Sequence, residues 1–181
     1  MPFEFERVQE INGLIVITPQ VFEDDRGFFM ESYHSIVFNK AGIMSEFVQD
    51  NHSRSVKGVI RGLHFQKEPF AQAKLVRCIR GEIFDVAVDL RKDSPSFSKW
   101  FGLLLSEENK KMLYIPRGFA HGFATLSSVA EVLYKADNFY SGQHERGIRY
   151  DDPSINISWS ISSPIVSKKD LELPFLQSAD L

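Results

Sequence analysis

Residues 58–77 read GVIRGLHFQKEPFAQAKLVR, two short apolar runs joined by a polar stretch that contains a proline. Short runs of this kind, bounded by Gly and Pro, are typical of β-strands. We therefore predict two neighbouring strands, which carry Arg61, His64 and Lys74. Two cations and a residue suited to general-base chemistry thus share one small region.

Similar runs rich in Val, Ile, Phe and Tyr recur along the rest of the chain between Gly, Pro, Asn and Asp residues. They lie at 13–18, 26–33, 56–66, 74–90, 98–105, 111–115, 119–126 and 130–136. Short helical segments are predicted only at 35–41, 106–109 and 167–171. The pattern predicts an all-β fold, a double-stranded β-helix jelly roll with a few short helices.

Residues 74–90 carry the clearest hairpin signal, with a turn at Arg80-Gly81-Glu82. Beyond that turn, apolar residues from Phe84 to Leu90 alternate with Asp85, Ala87 and Asp89. Side chains two apart in a strand share a face, so this alternation predicts the apolar set as the core face.

Composition limits the classes of protein to consider. A chain of 181 residues that is 43% hydrophobic is long enough for one core and short for two, so we predict a single domain over 1–181. The net charge of −3, with both signs interspersed, disfavours a nucleic-acid surface. The acidic N-terminus and the lack of a long apolar run predict a soluble, cytoplasmic protein without membrane contact. The one cysteine, Cys78, fits a buried position and a reducing compartment.

Three ionisable side chains are predicted to face inward. Lys74 shares strand parity with Val76, and Tyr134 lies within an apolar strand. His64 shares parity with Ile60, whereas strict alternation puts Arg61 on the opposite face unless Gly62 marks a bulge, and the sequence leaves this open. Burying such groups without a role is costly, which favours a shared cavity over isolated structural roles.

A metal site is the alternative to metal-free acid–base chemistry. Metal-binding jelly rolls of the cupin type carry an H-x-H pair, a carboxylate and a further His after a P-x-G turn. Pro116-Arg117-Gly118 followed by His121 matches the last element, but Gln66 stands where the second His is needed. Only Glu68 is near enough in sequence to complete a set, so we predict no metal.

Several longer motifs together resemble one family, the dTDP-4-dehydrorhamnose 3,5-epimerases. The motifs are DRGFFME at 25–31, FVQDNHS at 47–53, GVIRGLHFQ at 58–66, AQAKLVR at 71–77, FDVAVDLR at 84–91, IPRGFAHGF at 115–123, and shorter matches at 134–135, 147–148 and 151–153. Ser160 departs from the family pattern, which often has Pro there. So many motifs in order make the resemblance specific.

The resemblance implies a homodimer of jelly rolls that needs no cofactor and acts on a dTDP-linked 4-keto-6-deoxyhexose, inverting C3 and C5. It implies His64 as the base, Asp170 as the carboxylate that orients it, Tyr134 as the proton donor and Lys74 as the cation beside the enolate oxygen. The residues it places on the nucleotide, phosphates or sugar are Arg26, Glu31, Gln49, Asn51, Arg61, Lys74, His121, Tyr140, Glu145 and Lys169, some of them reaching across the dimer. For Arg26 and Glu31, a surface ion pair is an equally good reading.

Three rival functions remain at this point. One is a mono-epimerase acting at C3 or C5 alone, for an antibiotic sugar. The others are a sugar-nucleotide-binding jelly roll without catalysis and a metal-dependent cupin oxygenase.

Overall fold

The computed structural model describes residues 2–181 and consists mainly of short antiparallel strands. The strands are β1 (Phe3–Arg7), β2 (Ile15–Pro19), β3 (Val21–Asp24), β4 (Gly27–Met30), β5 (Gln49–Val56), β6 (Ile60–Gln66), β7 (Lys74–Arg80), β8 (Glu82–Asp89), β9 (Trp100–Ser106), β10 (Met112–Ile115), β11 (Phe119–Thr125), β12 (Val129–Ala136) and β13 (Glu145–Gly147). The helices are α1 (Ser35–Lys40), α2 (Lys168–Leu171) and a 3₁₀ turn at Leu176–Ser178.

Two sheets face each other. One has six strands in the order β1-β2-β10-β7-β12-β5, and the other has five in the order β13-β6-β11-β8-β9. Consecutive strands repeatedly change sheet, which is the jelly-roll arrangement and confirms the predicted fold class. No helix within residues 2–181 is long and apolar enough to cross a membrane.

Three apolar clusters hold the layers together. The first lies between the sheets and includes Val76, Val132 and Phe123. The second covers the outer face of the five-stranded sheet with the C-terminal segment, through Ile148 and Trp159. The third covers the outer face of the six-stranded sheet with α1, through Phe38 and Leu75. Each sheet is thus apolar on both faces where it is covered, as burial on both sides requires.

The predicted hairpin over 74–90 is wrong. The strands β7 and β8 do follow one another through Gly81, but β7 pairs with β10 and β12, whereas β8 pairs with β9 and β11. A tight turn that looks local in sequence is a crossing from one sheet to the other. Gly81 has a positive φ of 71°, and a Cβ there would lie 2.1 Å from the carbonyl oxygen of Val129, so the crossing needs glycine.

The predicted strand over 26–33 is shorter than expected and has an unpredicted partner. Only Gly27–Met30 is extended, and it pairs with β3 in a separate two-stranded ribbon. Phe22, Phe28 and Phe29 on this ribbon are each more than half exposed. We call β3 and β4 together the β3–β4 hairpin.

Candidate active site

A cavity of about 540 Å³ opens between the two sheets, and most of the predicted site residues line it. Strands of both sheets and the segment 165–170 form its walls. The predicted residues on these walls are Arg61, His64, Lys74, His121, Tyr134, Tyr140, Glu145, Lys169 and Asp170. Side chains up to 109 positions apart in the sequence are therefore brought to one place.

His64 and Asp170 form a hydrogen-bonded pair on one wall, in which Asp170 is buried and His64 is partly exposed. The Nε2 atom of His64 lies 2.8 Å from Oδ1 of Asp170, and Asp170 is only 4% exposed. Burial alone raises the pKa of Asp170, but the hydrogen bond from His64 and the backbone N–H of Gly62 lower it below its usual value. An ionised carboxylate accepts a hydrogen bond from Nε2–H, which leaves Nδ1 of a neutral imidazole free to act as a base.

A bulge puts Arg61 on the same wall as His64 and so settles the orientation that the sequence left open. In the pairing of β6 with β11, His64 lies opposite His121 while Arg61 lies opposite Phe123, so β6 has one extra residue between the two. Gly62, in this stretch, has a φ of 110°, and a Cβ there would lie 2.6 Å from the carbonyl oxygen of His121. Only glycine permits this close approach of the strands.

Lys74 and Tyr134 lie together on the six-stranded sheet, facing inward as predicted. Nζ of Lys74 is 5.8 Å from the centre of the Tyr134 ring. Removal from water lowers the pKa of Lys74 to about 8, and the charges of Asp85 and Glu145 oppose that shift. Burial also raises the pKa of Tyr134, with the charge of Arg61 acting in the opposite direction. Tyr134 therefore holds its proton firmly.

His121 pairs with Asp85, a residue that the sequence did not single out. Nε2 of His121 lies 2.7 Å from Oδ1 of Asp85, and Asp85 is fully buried. The alternation over 84–90 had predicted Asp85 on the non-core face, and this is wrong because both faces of β8 are covered. An Asp within an otherwise apolar strand was the available signal, since an unpaired buried carboxylate is costly.

The mouth of the cavity carries a chain of polar contacts. Oε2 of Glu145 accepts hydrogen bonds from the Tyr140 hydroxyl, at 2.7 Å, and from Nζ of Lys169, at 2.5 Å. Burial raises the pKa of Glu145, but these two bonds and the charges of Lys169 and His64 together lower it below its usual value. Arg61 donates from Nε to the hydroxyl of Ser55 at 2.9 Å, which fixes its guanidinium near the same opening.

Four predicted binding residues do not line this cavity. Gln49 is next to it, because its Oε1 accepts the backbone N–H of Tyr140 at 3.0 Å while its Nε2 donates to Asn51. Arg26 lies at the tip of the β3–β4 hairpin and pairs with Asp24 rather than with Glu31. Glu31 follows the hairpin and is exposed. The alternative reading of an ion pair between Arg26 and Glu31 is therefore wrong, because the surface partner of Arg26 is Asp24.

The cavity also includes polar side chains that sequence reasoning missed, among them Ser53, Gln72 and Ser167. The Ser53 hydroxyl is buried and has no hydrogen-bond partner among residues 2–181. Nothing in a strand serine or a loop glutamine distinguishes these residues before the fold is known. Within the same described residues, no three His, Cys, Asp or Glu side chains come together as metal ligands.

Comparison with known proteins agrees with this geometry. Residues 8–178 match the family model described as dTDP-4-dehydrorhamnose 3,5-epimerase. A protein of that description from Shigella flexneri is 60% identical over 163 residues, covering 90% of each chain. A dTDP-4-dehydrorhamnose 3-epimerase from Streptomyces niveus is 38% identical and covers 93% of this chain and 82% of its own.

The solved structures agree as well. A dTDP-6-deoxy-D-glucose-3,5-epimerase from Legionella pneumophila, crystallised with dTDP-4-keto-L-rhamnose, superposes with a TM-score of 0.95 at 44% identity, over 98% of this chain and 95% of the other. Because the family model spans residues 8–178 and a relative 60% identical covers 90% of this chain, the chain belongs to the dTDP-4-dehydrorhamnose 3,5-epimerase family.

Proposed function

We propose that this protein converts dTDP-4-dehydro-6-deoxy-D-glucose to dTDP-4-dehydro-L-rhamnose by inverting C3 and C5, as a step of dTDP-L-rhamnose biosynthesis. The observation that carries the proposal is a single cavity with His64 on one sheet, bonded to Asp170 of α2, and Lys74 and Tyr134 on the facing sheet. We infer that the whole chain acts as one domain.

His64 is the general base of this proposal. A carbonyl at C4 acidifies the hydrogens on C3 and C5, so Nδ1 of His64 can take either proton while the bonding electrons move to the C4 oxygen. Asp170 holds the tautomer in which Nε2 carries the proton, and it stabilises the imidazolium that forms. The product of this step is an enolate and a protonated His64.

Lys74 and Tyr134 complete the inversion. The ammonium of Lys74 stabilises the enolate oxygen, a charge that appears only during the reaction. Tyr134 then gives its hydroxyl proton to the same carbon from the opposite face, which inverts that centre. His64 loses its proton and Tyr134 regains one through solvent, so the protein returns to its starting state.

The nucleotide half of the substrate fits the mouth of the cavity. The planar fork of Arg61 suits a pyrophosphate oxygen pair. Tyr140, which is 58% exposed, offers an aromatic face for the thymine ring. Lys169 adds positive charge at the same opening, while Gln49 and Asn51 lie beside it. We assign His121 to the sugar side of the site and Glu145, which bonds Tyr140 and Lys169, to the nucleotide side.

A homodimer accounts for the residues that this cavity leaves out. The β3–β4 hairpin belongs to neither main sheet and exposes three phenylalanines, which favours burial against a second copy. Exchange of hairpins between two copies would bring Arg26 and Glu31 to the partner's cavity. Light scattering on the purified protein measures the oligomeric state directly.

We place the enzyme in the cytoplasm, in keeping with its single, buried and unpaired Cys78.

Two other functions are separated by one experiment. The protein is incubated in heavy water with dTDP-4-dehydro-6-deoxy-D-glucose, and deuterium at C3 and C5 is read by NMR and mass spectrometry. We expect deuterium at both carbons, with loss of exchange by orders of magnitude in His64→Asn while dTDP still binds. Deuterium at one carbon identifies a mono-epimerase, the activity in the name of the Streptomyces niveus relative. No exchange with intact dTDP binding identifies a binding protein.

A further inference from the structure

Gln66 uses its whole side-chain amide to join two loops. It ends β6 and is 8% exposed. Its Nε2 donates to the carbonyl oxygens of Phe70, at 2.6 Å, and Phe139, at 3.1 Å, and its Oε1 accepts the backbone N–H of Ser141 at 2.6 Å. Both amide hydrogens are therefore used and the carbonyl oxygen is engaged. We call these three contacts the glutamine clamp.

The glutamine clamp holds the backbone on both sides of Tyr140. Two of its contacts are to the residues on either side of Tyr140, and the N–H of Tyr140 itself is bonded to Oε1 of Gln49. Three successive residues thus have backbone groups fixed by glutamine side chains. The Tyr140 hydroxyl is held as well, by Glu145.

Packing does not explain how Tyr140 keeps its place. Its side chain is largely in solvent, as is that of Phe139, so little buried apolar area holds either residue. The segment lies outside both sheets, and the strand ladders do not reach it. Side-chain hydrogen bonds order this stretch, together with the backbone bonds that His144 and Glu145 donate to the carbonyl oxygen of Ser141. A third glutamine, Gln72, adds to them by donating to the carbonyl oxygen of Asn138 at 2.8 Å.

We propose that Gln66 is a positioning residue for nucleotide binding, which acts by holding the Tyr140 ring in place as a preformed platform for the base. This inference rests on the proposed function, because it takes a nucleoside diphosphate as the ligand. A flexible aromatic residue must lose conformational freedom on binding, whereas a fixed one has lost it already. Gln66 thereby sets affinity for the nucleotide and leaves the rate of proton transfer to His64 and Tyr134.

Gln66 lies two residues after His64 on the same strand. Metal-binding cupins place a histidine ligand two residues after the first one, which is where Gln66 follows His64. Here the amide points its donors at loop carbonyls instead. The same strand position serves the binding of the substrate through Tyr140.

The test replaces Gln66 in the full-length protein and measures dTDP binding by calorimetry together with steady-state kinetics. Gln66→Met keeps the length of the side chain and removes all three bonds. Gln66→Glu keeps the acceptor for Ser141 and removes both donors, so it provides a second variant if the first does not fold. Gln143→Met, at an exposed position of the same loop, is the matched control.

We expect about tenfold weaker dTDP binding in both Gln66 variants, a change of about 1.4 kcal/mol, with KM raised similarly and kcat within about twofold of the original protein. The control should bind as before. Unchanged affinity in a folded Gln66 variant would overturn the inference, as would a fall in kcat at unchanged KM, which would place the effect at His64.

A double-mutant comparison tests whether Gln66 acts through Tyr140. In a Tyr140→Ala background, Gln66→Met should weaken dTDP binding no further, and additive losses would refute the proposed route. Hydrogen exchange without any nucleotide provides an independent readout. The Ser141 amide should exchange faster in Gln66→Met, and equal rates would disprove the clamp. If the original protein binds no dTDP, the proposed function fails while this exchange measurement still decides whether the clamp exists.

Discussion

The pH dependence of catalysis follows from the burial of Lys74. Removal from water lowers its pKa to about 8 from an ordinary value of 10.5. At pH 7 about 90% of the lysine is then protonated, and at pH 9 about 10% is. Because only the ammonium stabilises the enolate, kcat/KM should fall about tenfold between pH 7 and pH 9. A lysine with an ordinary pKa would keep about 97% of its charge at pH 9 and produce almost no fall.

The assay is solvent deuterium incorporation measured from pH 6 to 10, with an enzyme-free sample at each pH to subtract spontaneous exchange. Tyr134 adds no competing loss in the lower part of this range, because burial raises its pKa above 10. Lys74→Arg is the informative variant, since a guanidinium stays protonated throughout. We expect a lower absolute rate in this variant, but no decline between pH 7 and 9.

Asp85→Asn tests the physical origin of the same pKa. The carboxylate of Asp85 raises the pKa of Lys74 against the effect of burial, so its neutralisation should move the decline below pH 8. A decline near pH 8 that persists in Lys74→Arg would assign it to another group and refute the reasoning. An upward shift in Asp85→Asn would refute the role of the carboxylate.

Three further outcomes follow from the geometry. Asp170→Asn should lower kcat, measured by deuterium incorporation, by about 10³- to 10⁴-fold, because His64 loses the carboxylate that orients its ring. A fall of less than tenfold would contradict that role of Asp170. Lys74→Met should abolish turnover, yet in urea titrations it should raise the free energy of unfolding at pH 7 by roughly 1–3 kcal/mol, because it removes a lysine whose pKa is lowered in the folded state. This gain in stability should shrink as the pH rises from 8 to 10.5, where the lysine of the folded protein is neutral. Phe29→Ser should weaken self-association in sedimentation experiments, because Phe29 is 68% exposed in the single chain and is proposed to be buried in the dimer. The melting temperature of the monomer should change by no more than a few degrees, and an unchanged dimer would refute the hairpin contact.

The local sequence predicts the elements of this fold better than their partners. Runs such as 119–126 and 130–136 correspond to β11 and β12 within one or two residues, because strand patterning is local. The hairpin over 74–90 fails since both its strands exist but each pairs with a distant strand. Partner choice depends on how whole sheets bury their faces, and a turn at Gly81 fits a crossing as well as a hairpin.

The same distinction holds for the site. His64, Lys74 and Tyr134 could be selected from strand parity alone, because an ionisable group on an apolar face is conspicuous. Asp85 was missed, because the alternation over 84–90 predicts it on the non-core face, whereas both faces of β8 are covered and its partner His121 lies 36 positions away. The orientation of Arg61 depended on an extra residue in β6 that no alternation pattern shows.

The two-sheet architecture suits a reaction that removes a proton from one face of a carbon and returns it to the other. His64 projects from the five-stranded sheet and Tyr134 from the six-stranded sheet, so the acid and the base are held by separate layers. A sugar ring lying between those layers presents one face to each. Were both groups on one sheet, they would reach the same face of the ring, and proton return would retain the configuration. The inversion therefore depends on the packing of the sheets as much as on the two side chains, and Gly62 and Gly122 contribute by letting β6 and β11 approach closely behind His64.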